Sequence, residues 1–369
     1  MAEWIKCTLG DLITFQRGHD LPKSQMKEGK YPVVGSNGII GFHNEYTTDE
    51  PSITIGRSGN VGKPFIYYGK TWSHNTTLYI KDYKGNDPTF LFYFLKTMDL
   101  GNYAGGSAVP TLNRNHIHTL PVCVPKDVEH QKKIGMFLHM LDKKIEGNNA
   151  INNNLEQQAQ AIFANEFLSL DTLPDGWKQA SLIDIADYLN GLAMQKYRPT
   201  TDEIGIPVLK IKELRQGCCD DNSELCSPSI KSDYIIHDGD VIFSWSGSLL
   251  VDFWCGGICG LNQHLFKVTS SKYDKWFYYA WTKHHLNRFV AVAADKATTM
   301  GHIKRDELAK AEVLIPNEND YNRIGVLLQP IYEMIISNRI ENKKLAATRD
   351  ALLPKLMSGE IDMSEVDYE

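Results

Sequence analysis

The residues of this chain with the most usable chemistry are hydrogen-bond donors and cations set in polar loops. Arg57, Ser58, Asn60 and Lys63 stand together, as do His74, Asn75 and Thr76, and then Ser107, Thr111, Asn113 and Arg114. A second series follows: Trp245, Ser246 and Ser248; Asn262, Gln263 and His264; Thr298, Thr299, Lys304 and Arg305. Cationic and amide side chains of this kind suit phosphates and base edges, Arg pairing with guanine and Asn or Gln with adenine through two hydrogen bonds each. Taken singly, each residue also fits ordinary turn chemistry, and most protein–DNA hydrogen bonds go to the backbone. The series therefore defines candidate contact loops, not a base-by-base code.

Signals for covalent or metal chemistry fail on inspection. Residues 56–63 faintly resemble a phosphate-binding loop, but five residues separate Gly56 from Gly62 where four are needed, and Pro64 follows Lys63 in place of Ser or Thr. Cys255, Cys259 and His264 offer three zinc ligands without an obvious fourth, so buried structural thiols are expected instead. His284-His285 lies in an aromatic stretch and reads as a packing or surface pair. No paired carboxylates, nucleophile elbow or dinucleotide motif stands out. Nor does the Asn-Pro-Pro-Tyr or Asp-Pro-Pro-Tyr run by which a DNA adenine methyltransferase grips its base. The expectation is a chain with no catalytic residue, no metal and no cofactor of its own.

The loops must be positioned by a frame, and the frame occurs twice. Trp4, Leu9, Asp11, Leu12 and Gly18 return as Trp177, Leu182, Asp184, Ile185 and Gly191, at a constant offset of 173. Later landmarks pair Gly59 with Gly247, Asn75 and Leu78 with Asn262 and Leu265, Arg114 with Arg305, and Pro125 with Pro316, at offsets between 187 and 191. A repeat this long means two homologous domains, not a solenoid. Each half opens with a Trp-anchored segment and short helix (9–15 and 182–188), its tryptophan expected in the core. Short strands follow at 31–34, 52–56, 65–68 and 78–81, with turn chemistry at Ser36-Asn37-Gly38 and Ser58-Gly59-Asn60. Residues 87–100 and 275–290 read as aromatic-rich helices, and 120–125 and 311–316 as strands. The fold class is mixed α/β, β-centred in each half.

Two long helices complete the frame. Ile134, Leu138, Leu141, Ile145, Asn148, Asn152, Leu155, Ala159 and Ile162 alternate steps of four and three. Ile324, Leu328, Ile331, Ile335, Asn338, Asn342, Leu345, Arg349 and Leu352 repeat the same steps near the end of the chain. That is a coiled-coil seam, and the narrow stripe predicts that the helices pack on each other. Asn at matching seam positions (Asn148, Asn152, Asn338, Asn342) would fix the register. Caps are expected from Asp127, Glu129, Asn317 and Asp320, and ends at Ser358-Gly359 and in residues 171–177. About 35 residues at 1.5 Å each give a rod of roughly 50 Å. Run antiparallel, such rods would act as a ruler of about 15 base pairs at 3.4 Å per step. The expected division is 1–125 first domain, 126–170 first helix, 171–316 linker and second domain, 317–358 second helix and 359–369 acidic tail.

Bulk properties agree with a globular chain: of 369 residues, 42% are hydrophobic and 23% charged. No apolar run is long enough to span a membrane, and no signal peptide is evident at the N-terminus. Seven irregularly spaced cysteines suggest reduced thiols in a cytoplasm. Net charge is −6, split as +2 for residues 1–125, −1 for 126–168, −3 for 169–316 and −4 for 317–369. Phosphate attraction alone would therefore be weak, and partners are expected to supply cations. The last acidic residues look like a solvated tail.

Two Trp-led variable domains, each followed by a heptad helix, resemble the DNA specificity subunit of type I restriction–modification enzymes. The resemblance rests on Trp4-x4-Leu9-x-Asp11-Leu12 and Trp177-x4-Leu182-x-Asp184-Ile185. It also rests on Gly106-Ser107-Ala108-Val109-Pro110-Thr111-Leu112-Asn113, Leu120-Pro121-Val122-Cys123-Val124-Pro125, His130-Gln131-Lys132-Lys133-Ile134 and Asn322-Arg323-Ile324. The ending Ala351-Leu352-Leu353-Pro354-Lys355-Leu356-Met357-Ser358-Gly359 matches as well. The resemblance implies two target-recognition domains and an antiparallel coiled coil. It also implies a non-catalytic reader of bipartite, asymmetric double-stranded DNA that docks two adenine-methyltransferase subunits and, in the complete enzyme, motor-nuclease subunits. Thr298-Thr299-Met300-Gly301 departs from the first half's pattern, leaving the second half's contacting loops less defined. Competing readings are the specificity portion of a related restriction enzyme or a free-standing methylation adaptor, a coiled-coil protein-binding scaffold without DNA preference, and an enzyme built around residues 255–264.

Overall fold

The computed structural model describes residues 3–106, 110–295, 303 and 305–366. Two compact units form, one from Met1–Lys144 with Leu345–Glu369, the other from Ile145–Lys344. Each long helix, Val128–Phe163 and Glu318–Ser358, contributes a segment to both units.

In the first unit, Trp4–Thr8 pairs antiparallel with Pro121–Pro125, which places the start of the domain beside the entry to the first long helix. A four-stranded sheet has the order Thr14–Arg17, Thr77–Asp82, Ser52–Gly56, Pro64–Tyr67. A three-stranded sheet runs Gly38–His43, Tyr31–Gly35, Trp72–Ser73, the last pair parallel. The opening helix is only Leu9–Leu12, shorter than expected, because Thr14–Arg17 is drawn into the sheet. Thr8 and Asp11 close that turn with a reciprocal capping box. The aromatic helix Pro88–Thr97 buries Phe90, Leu91, Tyr93 and Leu95, and Asp87 caps it through the Phe90 N–H at 2.7 Å. Gly135 of the long helix lies where this helix crosses; a β-carbon there would press on the Phe90 backbone.

The core of the first unit is completed from the far end of the chain. Leu356, Met357 and Met363 are buried in it, with Leu352, Leu353 and Ile361 packed alongside. The tail is thus not simply solvated: Asp362 and Glu365 face water, but Lys133 Nζ donates to the Ser364 carbonyl at 2.7 Å and Gly359 packs against Trp4. Burying Ile361 and Met363 outweighs the solubility of their acidic neighbours.

The second unit repeats the plan. Lys178–Ser181 pairs with Glu312–Ile315. One sheet has the order Asp187–Asn190, Leu265–Thr269, Val241–Ser244, Leu250–Phe253, and another Leu225–Cys226, Ile206–Leu209, Cys259–Leu261, Ile235–Ile236. Again the opening helix is a single turn, Leu182–Ile185. The aromatic stretch forms two helices, Lys275–His284 and Leu286–Asp295. Trp177 is buried, and its indole N–H donates to Asp320 at 2.9 Å. Ala159 and Phe163, late in the first long helix, belong to this core together with Ile324, Leu328 and Ile335 of the second.

The seam pairs as its asparagines require. Asn148 Nδ2 donates to Asn342 Oδ1 at 2.8 Å, and Asn338 Nδ2 to Asn152 Oδ1 at 2.8 Å. Ascending numbers meet descending ones, so the helices are antiparallel. Asn152 Nδ2 also reaches the Ile335 carbonyl at 3.3 Å, and Asn148 Nδ2 reaches Glu341 at 2.7 Å. In the first unit Arg349 closes on Asp142, which also accepts from the Tyr93 hydroxyl at 2.6 Å. Burial raises the Asp142 carboxyl, but Tyr93 and Arg349 outweigh it and the carboxyl lies below its usual range. The expected caps are present at both helix starts: Asp127 accepts from Glu129 N–H, and Asn317 from Asp320 N–H.

Strand pairing corrects one detail of the repeat. Arg17 faces Leu78 and Asn190 faces Phe266; Gly56 faces Thr77 and Ser244 faces Leu265. The loop offset is therefore 188, not 187. His74 corresponds to Asn262, Asn75 to Gln263 and Thr76 to His264. The offset is 188 on both sides of the loop, so no residue is gained or lost there and the shared Asn and Leu identities at 187 are coincidental.

Candidate nucleic-acid interface

Sheet geometry gathers most of the first series. Arg57 follows the strand Ser52–Gly56, and its N–H and that of Ser58 donate to the Thr76 carbonyl at 2.8 and 3.2 Å. His74 Nδ1 and Thr76 Oγ1 lie 3.2 Å apart, and Asn75 donates to Asp20. The Leu112 N–H donates to the Arg57 carbonyl at 2.9 Å, and Thr111 bridges to Gly105 and Ser58. Gly59 adopts φ +86° in the tight turn that carries Asn60, a conformation suited to glycine.

These contacts surround an open cleft of about 880 Å³ lined by Arg17, Arg57, Arg114, Asn102, Tyr103 and His116, among others. Among the described residues, none offers a carboxylate or a hydrogen bond to the Arg17, Arg57 or Arg114 guanidinium. Burial first, then the Arg17 charge, draw Arg57 below the usual guanidinium value. A cleft of uncompensated cations is built for acceptor oxygens and ring nitrogens, with Tyr103, 38% exposed, available for stacking.

Other residues of the series have further roles or lie elsewhere. Asn113 lines the cleft and in addition caps the helix Arg114–His118, accepting from the Asn115 N–H at 3.0 Å. Lys63 lies 5.7 Å from the Phe65 ring centre and lines a separate groove with Lys96, Asp99 and Arg349. Ser107, Thr298, Thr299 and Lys304 lie outside the described residues.

In the second unit the equivalent positions carry different chemistry. Trp245 takes the place of Arg57, and its indole N–H donates to Asn190 Oδ1, the counterpart of Arg17, at 2.9 Å. Its ring lies 5.7 Å from Phe266 and 6.2 Å from His264, and its carbonyl accepts from the Ile303 N–H at 2.8 Å. Ser246 Oγ reaches His264 Nδ1 at 3.1 Å, Gln263 lies 3.4 Å from His264 Nε2, and Asn262 Oδ1 accepts from the His264 N–H. Ser248 contributes its carbonyl to Ser244. Arg305 donates to the Tyr188 carbonyl at 2.9 Å, so part of its fork serves the fold.

The rejected chemistry stays rejected on geometry. Residues 56–63 join two antiparallel strands, whereas a phosphate-binding loop joins strand to helix. Cys255 packs in the core near the Ile336 carbonyl, Cys259 lies 3.4 Å from Cys219 Sγ, and His264 is engaged by Ser246, so the three do not converge. His285 hydrogen-bonds the Glu312 carbonyl at 2.7 Å and His284 packs on Phe163 and Trp281, a packing pair as expected. Arg17, Asn102, Tyr103, His116 and Asn190 escape sequence reasoning. Arg17 and Asn190 end short strands and belong to no polar run, and the duplication itself is the one available signal.

Comparison with known proteins gives the same answer. The model of the type I restriction modification DNA specificity domain matches residues 1–157 and again 174–347. The type I restriction enzyme MjaIX specificity subunit of Methanocaldococcus jannaschii is 27% identical over 306 residues, spanning 75% of this chain and 70% of that protein. The HindI specificity subunit of Haemophilus influenzae is 21% identical over 356 residues, spanning 74% and 77%. In fold, the crystal structure of a type I restriction-modification S subunit from M. genitalium is similar with a TM-score of 0.66, over 96% of both chains at 14% identity. With its duplicated frame, paired seam helices and twice-matched domain, the chain belongs to the type I restriction-modification DNA specificity family.

Proposed function

We propose that this chain is the sequence-reading subunit of a type I restriction–modification assembly, recognising an interrupted, asymmetric site in double-stranded DNA. One observation carries the reading: a duplicated strand frame holds Arg17 and Arg57 in one unit but Asn190 and Trp245 in the other. A frame kept constant while its recognition side chains change suits two half-sites of different sequence. The first unit would read one half through its arginine cleft, and the second the other through Trp245, Ser246, Asn262, Gln263 and His264.

The long helices would dock two copies of an adenine-methylating subunit, with motor-nuclease subunits joining the complete enzyme. Exposed apolar side chains support this. Met136 is 50% exposed, and Val326, its counterpart in the second long helix, is 74% exposed. Exposed apolar side chains at equivalent positions of duplicated helices suit two copies of one partner. Among the described residues no helix is long and apolar enough to cross a membrane. A cytoplasmic setting, where the DNA lies, belongs to the proposal.

The test is a genome-wide map of N6-methyladenine in cells with and without the gene, its partners being expressed in both. Loss of one interrupted, asymmetric motif on deletion is the expected result. An unchanged map would refute the reader role.

A further inference from the structure

Phosphate contacts and base contacts leave different marks on a duplicated protein. A phosphate contact carries no sequence information, so both halves can keep the same residue for it. A base contact must change when the half-site changes. Arg114 and Arg305 recur at equivalent positions, each opening the short helix before the last strand of its unit. Arg17 and Arg57 do not recur. Strand register places Asn190 where Arg17 would be, and Trp245 follows its strand as Arg57 follows its own. In the second unit these two side chains are tied to each other, Trp245 Nε1 to Asn190 Oδ1, and the indole packs against Phe266. The first unit leaves both guanidiniums facing one open cleft with no carboxylate among the described residues.

We infer, resting on the DNA-reading role proposed above, that Arg17 and Arg57 together read guanine in the half-site of the first unit, and that Asn190 and Trp245 exclude that reading from the second. The chemistry is specific. A guanidinium fork matches guanine O6 and N7 with two parallel hydrogen bonds, and no other base presents two acceptors side by side in the major groove. Two like charges held together in the free protein are each relieved by acceptors brought in on the DNA. The packed Trp245 indole offers no such fork.

The experiment uses the whole chain co-expressed with its methylating partners, and reads N6-methyladenine across the genome for wild type, Arg17→Ala, Arg57→Ala and Arg57→Lys. The wild-type motif should contain guanine in one half-site. Each alanine variant should relax a guanine position there, with roughly 5- to 150-fold loss of discrimination against other bases. The other half-site should stay intact, which also shows that the variant is folded and assembled. Arg57→Lys keeps the charge but loses the fork, so it should relax the same position. Equal weakening at all sequences in the alanine variants, with lysine restoring binding, would mean a phosphate contact and overturn the inference. A wild-type motif without guanine in either half would overturn it too. If deleting the gene erases no motif at all, the DNA-reading role itself falls and takes this assignment with it.

Discussion

The asparagine pair at the helix seam allows a double-mutant cycle with a definite sign. Asn152 and Asn338 are 5% and 8% exposed and share a 2.8 Å hydrogen bond, with a second bond from Asn152 to the Ile335 carbonyl at 3.3 Å. Asn338→Leu alone leaves the Asn152 amide oxygen buried without its donor, which costs about 1–3 kcal/mol. Asn152→Leu strands the Asn338 amide in the same way. The double change removes both partners and substitutes apolar side chains of similar size, so it should be neutral to within about 1 kcal/mol or stabilising. For a unit of this size each kcal/mol moves the melting temperature by roughly 2–4 °C. The single variants should therefore melt roughly 2–12 °C lower by calorimetry, and the double variant should recover most of that loss. Additive losses, with the double variant melting lower by the sum of the singles, would refute the pairing and the register it fixes.

Other expectations follow from the same geometry. Burial holds His285 below its usual 6.5, with His284 and Arg288 acting in the same direction, while its bond to the Glu312 carbonyl and the Glu312 charge oppose. The unfolded chain therefore takes up this proton first, so stability should fall as pH drops through about 6.5; His285→Gln should flatten that dependence in a thermal pH series, and an unchanged slope would count against it. If the long helices dock two methylating subunits as proposed, Met136→Glu and Val326→Glu should each lower the number bound from two to one by native mass spectrometry; an unchanged number would refute docking at these positions. A β-carbon at Gly18 or Gly191 would fall inside the carbonyl of His74 or Asn262, whereas one at Gly69 meets open space. Gly18→Ala and Gly191→Ala should thus each cost about 1–3 kcal/mol in urea denaturation, and Gly69→Ala less than about 0.5 kcal/mol.

Legibility in the sequence follows the physics of each feature. The long helices are plain because a seam repeats its period over many turns, and Asn148, Asn152, Asn338 and Asn342 interrupt it at matching places. The aromatic helices and the capping positions Asp127 and Asn317 are also readable, being local. Arg17 is not: it is one polar residue at the end of a short strand, and only the pairing with Leu78 brings it beside Arg57. Lys63 groups with Arg57 by proximity in sequence, yet the hairpin sends it to another groove. The capping role of Asn113 is hidden behind its place in the cleft, because a cap and a base contact ask for the same side chain. The role of residues 352–363 in the first unit's core depends on contacts with the opposite end of the chain, which no local pattern encodes.

That last feature governs how the protein is made. The first unit's core includes Leu356, Met357 and Met363, so its final layer leaves the ribosome after all of Ile145–Lys344 has been synthesised. At typical elongation rates that intervening stretch takes roughly 10–40 s. Throughout that interval the core around Ile134 and Leu138 lacks its final layer, and by its end the second unit already holds its whole sequence. The first unit is thus the last to be finished, and a nascent chain released just before Leu345 would carry a sticky, half-built first unit and a complete second one.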